Sequence, residues 1–69
     1  MKHYTNTYEE MVDKYGLIEE YRMGKDEDGD PVMVSIDDTC ASIRTFQKNG
    51  WVRINVYYKD GTVEELFER

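Results

Sequence analysis

Cysteine, proline and histidine occur once each in these 69 residues, as Cys40, Pro31 and His3, and each scarcity removes a class of chemistry. A single cysteine rules out an internal disulfide, and a lone thiol fits a reducing compartment better than an oxidising one. With His3 near the N-terminus and no reason for it to lie beside Cys40, neither a Cys–His nucleophile pair nor a zinc-ligand set can be assembled. No glycine loop of the phosphate-cradling kind is present. Carboxylates are plentiful, but nothing in the sequence marks any of them as buried, so no acid–base pair stands out. The expectation is a protein that is not an enzyme and holds no metal or cofactor.

Long apolar runs are also missing. Uncharged stretches in the first half last only a few residues, which leaves no transmembrane helix. The opening MKHYTNTYEE has no apolar segment of the signal-peptide type, so the expected location is cytoplasmic. There is no repeat and no low-complexity tract, and Pro31 follows an acidic turn rather than marking a linker; residues 1–69 are therefore read as one small domain. Such a chain buries only about 60% of the surface its unfolded form exposes. With no disulfide to assist, self-association is the compensation left open.

One more absence is the most informative. Between Thr39 and Lys59 there is no acid, only Arg44, Lys48, Arg53 and Lys59. The preceding 38 residues hold eleven acids against four bases, and the last ten hold four acids against one base, for a net charge of −6. This pattern bears on partners and solubility rather than on fold.

What is present argues for folding: 13% of residues are aromatic despite 35% charged, whereas disordered chains are poor in aromatics. Thr7 and Glu10 have the spacing of a capping box. Tyr8, Met11, Val12 and Tyr15 then recur at helical spacing up to a Gly16 stop. Beyond Gly16 the period shortens, and turn signals at Asp26-Glu27-Asp28-Gly29, Asn49-Gly50 and Asp60-Gly61 punctuate the rest. The fold expected is α+β: an N-terminal helix packed on an antiparallel β-meander of about five strands, with Leu17–Met23 and the alternating Val32, Val34 and Ile36 supplying the first two. Asp38 could instead cap a second helix over 39–48, giving the order αββαββ.

Taking Asn49-Gly50 and Asp60-Gly61 as two-residue type I′ loops sets a register. Thr45 then faces Ile54, Ile43 faces Val56, and Tyr58 faces Val63. One face holds Ala41, Ile43, Val52, Ile54, Val56 and Tyr58 as core; the other holds Arg44, Phe46, Lys48, Trp51, Arg53, Asn55 and Tyr57. Glu65 opposite Val56 fits this register poorly.

Two contact surfaces emerge. Aromatics interleaved with bases can stack single-stranded nucleic acid or anchor a protein partner, and Phe46, Trp51, Arg53 and Tyr57 are the residues expected there. The acidic turn Asp26, Glu27, Asp28 and Asp30 would steer the chain toward a basic surface. Asp26, Asp28 and Asp30, with Asp37, also match positions 1, 3, 5 and 12 of a calcium loop. That loop needs glycine at position 6, where Pro31 stands, and a Glu at position 12, so the turn is read as solvated rather than metal-binding. In size, acidity and aromatic content the chain resembles small accessory proteins of phages and mobile elements, anti-CRISPR inhibitors among them; the likeness is one of general character, and no motif carries it. The leading expectation is an acidic binding module that docks on a basic protein surface, as a charge-mimicking inhibitor of a nucleic-acid enzyme. The alternative is a single-stranded nucleic-acid binder, and a homodimer is open to both.

Overall fold

The computed structural model describes residues 4–69, with the backbone alone for residues 20–23; His3 lies outside that range. Helix α1 spans Thr7–Tyr15 and is followed by β1 (Ile18–Lys25), β2 (Pro31–Ile36), β3 (Cys40–Phe46), β4 (Val52–Tyr58) and β5 (Val63–Glu68). The strands form one antiparallel meander in the order β1-β2-β3-β4-β5. Residues 40–46 are therefore strand, and the second helix over 39–48 does not form.

The helix starts one residue earlier than the capping box implies. Asn6 is the N-cap and accepts from the Glu9 amide at 2.9 Å, while the Glu9 carboxylate reaches back to the Thr5 amide at 2.9 Å and to the Thr5 hydroxyl. These bonds hold the Glu9 carboxyl below its ordinary pKa. The apolar stripe falls where its spacing requires, with Tyr8 and Met11 buried. Gly16, at φ +75°, closes the helix by donating to the Val12 carbonyl at 2.8 Å, a backbone angle that side chains resist.

Tyr8 and Met11 pack with Val34, Ile36 and Ala41, and Val12, Tyr15, Ile18, Ile43 and Tyr57 border them. In register, Ile36 faces Ala41, which faces Tyr57, and Val34 faces Ile43, so all of these sheet residues share the face under α1.

The register of the last two hairpins differs from expectation by one residue. Phe46 faces Val52 and Arg44 faces Ile54; Arg53 faces Phe67 and Tyr57 faces Val63. Both turns hold three residues rather than two. In each, the Asx carboxyl or amide oxygen accepts the amide two residues on, Asn49 from Trp51 and Asp60 from Thr62, both at 2.9 Å. Neither Asn49 nor Asp60 has positive φ; only Gly50 (φ +91°) and Gly61 (φ +96°) do, which is the type I turn plus glycine bulge of a three-residue loop. In the other two turns an Asx also accepts the amide two residues on, Asp26 from Asp28 and Asp37 from Thr39, but there it precedes the loop, and the turn that Asp37 closes with Cys40 has two residues and no glycine. A slip of one residue turns a strand over. Val52, Ile54, Val56 and Tyr58 consequently lie on the face opposite Ala41 and Ile43. The mismatch at Glu65 also resolves, since it pairs with Asn55.

Candidate functional site

The sheet has two ends. At one, α1 lies near the turns after β2 and β4: the Tyr8 hydroxyl donates to the Asp37 carbonyl at 2.7 Å and the Asn6 side-chain Nδ2 to the Lys59 carbonyl at 3.1 Å. At the other lie the turns 26–30 and 47–51 and the C-terminal Glu68 and Arg69. There the Lys48 ammonium donates to the Asp28 carbonyl at 3.0 Å, which holds the two turns side by side. The Arg69 guanidinium stands 5.1 Å from the centre of the Trp51 ring, within cation–π range.

Of the residues expected at a contact surface, Asp26, Glu27, Asp28, Asp30, Phe46 and Trp51 all belong to this second end. Glu27 and Asp28 are exposed and Asp26 half-buried; Phe46 and Trp51 are exposed large hydrophobics at 38% and 37%. Tyr57 does not join them, because the register carries it to the helix end, where it borders the core. Arg53 is at the same end as Phe46, but on the face under α1, whereas Phe46 and Arg44 share the opposite face. The basic–aromatic platform drawn from the two-residue register is thus divided between both faces of the sheet.

Folding also rearranges the charge. The basic segment becomes β3 and β4, the middle of the sheet, with Glu64, Glu65 and Glu68 on the adjoining β5 edge. That edge was not singled out in the sequence; it also exposes Val63, Leu66 and Phe67, and exposed strand edges are ready sites for pairing.

Two buried polar atoms among the described residues have no hydrogen-bond partner, Asp30 Oδ1 and Arg53 Nε, and both are at this end. Asp26, Asp28 and Asp30 each bring a carboxylate oxygen within 4.8 Å of the others. By contrast Asp37, the fourth residue of the calcium-loop pattern, is engaged at the helix end. Its Oδ1 accepts from the Thr39 hydroxyl and the Thr39 and Cys40 amides at 2.7–2.8 Å, and those bonds, the Thr39 hydroxyl first, lower its pKa to about 2.

A surface hollow of about 340 Å³, lined by Tyr4, Tyr8, Glu9, Val12 and Asp13, opens to solvent, and both of its carboxylates are engaged, Asp13 by the Tyr4 hydroxyl at 2.7 Å and Glu9 by Thr5. Cys40 is half-buried and unpaired in a disulfide, with no described histidine beside it. Among the described residues no helix is long and apolar enough to cross a membrane. No family model matches this chain, and no curated protein or solved structure matches it.

Proposed function

We propose that this chain is a non-catalytic acidic binding module that docks the turn-bearing end of its sheet on a basic protein surface. The observation that carries the reading is the convergence of Asp26, Glu27 and Asp28 with Phe46 and Trp51 at one end, joined by the Lys48–Asp28 bond. Carboxylates that project beside exposed aromatics supply both parts of a charged interface: long-range steering and a desolvated anchor. The partner is a surface built to accept phosphates, and the module competes with nucleic acid for it.

The single-stranded nucleic-acid reading is the weaker of the two. A stacking platform needs its bases and rings on one face, and Arg44 with Phe46 faces away from Arg53 with Tyr57. The adjoining acids of β5 and of the 26–30 turn also oppose a polyanion.

The test is calorimetric titration with a Lys/Arg-rich peptide carrying an aromatic residue, in low and in high salt. Binding that weakens with salt, and that Asp28→Lys with Glu27→Lys weakens by about tenfold or more, supports the reading. Affinity unchanged by the charge reversal removes the turn from the interface.

A further inference from the structure

The turn between β1 and β2 holds a problem that its hydrogen bonds do not solve. Asp26 Oδ1 accepts the Asp28 amide at 3.0 Å and the Asp30 amide at 2.9 Å, and the main chain closes through Gly29 to Asp26 and Asp26 to Asp30. These bonds explain the shape of the turn. They do nothing for Asp30, which is 7% exposed and whose Oδ1 is buried with no donor. A carboxylate in that position is unfavourable unless it is paired or coordinates a metal. Here its surroundings add two more carboxylates within 4.8 Å, and like charges at that distance disfavour one another. The adjacent cation, Lys48, donates to a main-chain carbonyl of the turn.

We propose that Asp26, Asp28 and Asp30 form a site for a hard divalent cation, calcium in particular. Calcium takes oxygen ligands in flexible geometry, whereas magnesium demands a near-ideal octahedron and sheds its water reluctantly. The objections from sequence lose their force in the structure. Pro31 need not supply the bend, because Gly29, at φ +84°, already does, and Pro31 opens β2 instead. Asp37 is not a ligand, because it serves the turn at the opposite end. The site is therefore not an EF-hand. It is a three-carboxylate cradle on a β-hairpin, completed by solvent, with Asp30 as its buried member and Asp26 and Asp28 at its mouth. With so few protein ligands its affinity belongs at the weak end of calcium sites, a Kd of about 0.1–1 mM. The inference does not depend on the docking reading, since the ligands are accounted for without any partner.

Thermal unfolding of the full chain, first stripped with a chelator and then brought to 10 mM CaCl₂, is the primary test. A ligand held at ten to a hundred times its Kd raises the midpoint of a domain of this size by roughly 6–20 °C. Sodium chloride at equal ionic strength is expected to give less than half of that rise, and so is MgCl₂. Asp30→Asn is expected to abolish the calcium effect, with metal-free melting at or above that of the unaltered chain, and Asp60→Asn, in a different turn, to preserve it. Should Asp30→Asn not fold, the exposed Asp28→Asn stands in, read by calorimetry as a fall in calcium affinity of about tenfold. Equal stabilisation by sodium chloride, or no heat and no shift with calcium on the folded chain, overturns the proposal.

Discussion

At the helix end of the sheet, Tyr8 and Met11 close over Ile36 and Ala41, the Tyr8 hydroxyl and the Asn6 side-chain Nδ2 reach main-chain carbonyls, and Asp37 accepts three hydrogen bonds. At the turn end of the same strands, Phe46, Trp51 and Phe67 are exposed, and the buried Asp30 Oδ1 and Arg53 Nε lack partners. Consistency between burial and polar satisfaction is what specifies a fold, and local departures from it concentrate where a protein does something else. The core and its satisfied polar groups lie at one end, and the proposed contact surface lies at the other.

The largest effect should come from Ile36→Ala. Truncating a buried aliphatic costs about 2–5 kcal/mol, and a domain of this length has only about 3–10 kcal/mol in all. Urea or thermal unfolding is expected to show a loss of that size, a large fraction of the total stability. Trp51→Ala should change stability by no more than about 0.5–1 kcal/mol while weakening binding to the basic peptide by roughly 2 kcal/mol, about thirtyfold. The comparison between the ends fails if the two variants exchange these outcomes.

Gly50→Ala comes next. Its φ of +91° sits in the region that a Cβ resists, so a loss of about 1–2 kcal/mol is expected in the same unfolding assay. Deleting Lys48 should be milder, because it leaves Asn49-Gly50 as a true two-residue loop with Phe46 still opposite Val52. Nuclear Overhauser contacts between strands would report the register directly, and a slipped pairing would contradict the three-residue turn.

Acid should act mainly at the helix end. The Asp37 pKa is about 2 in the folded chain against an ordinary 3.8. A depressed carboxyl contributes stability that is fully present above its unfolded pKa and is lost as pH falls through the folded one. Stability should therefore decline between about pH 4 and pH 2, and Asp37→Asn should flatten that decline in a pH series of melts. Self-association should be the smallest effect. The carboxylates of Glu64, Glu65 and Glu68 oppose pairing of β5 with a second β5, and sedimentation at high micromolar concentration should show a monomer. A dimer dissolved by Leu66→Glu would move the contact from the turn end to the open face of the sheet.

Much of the architecture was legible because it rests on short-range signals. The i, i+3, i+4, i+7 stripe marked α1, alternation in Val32, Val34 and Ile36 marked β2, and Asp26, Asn49 and Asp60 marked three of the four hairpins; the fourth, at Asp37, was not marked, and Asp38 there read equally as a helix cap. Register was not legible, because Asn-Gly and Asp-Gly serve both two-residue and three-residue loops, and only the main-chain pairing of Gln47 with Trp51 and of Tyr58 with Thr62 distinguishes them. That one-residue difference moved Tyr57 into the core border and parted Arg53 from Phe46. The meeting of the acidic turn with Trp51 was hidden for another reason: it joins residues some twenty positions apart through a main-chain carbonyl, which leaves no mark in sequence. The burial of Asp30 depends on tertiary packing and was likewise out of reach.

The most direct measurement is the fluorescence of Trp51, the sole tryptophan, during titration with the basic peptide and, separately, with a single-stranded oligonucleotide at low salt. The two-ended account predicts a saturable change with the peptide that fades as salt is raised, and none with the oligonucleotide. Saturable quenching by the oligonucleotide with no response to the peptide would contradict it.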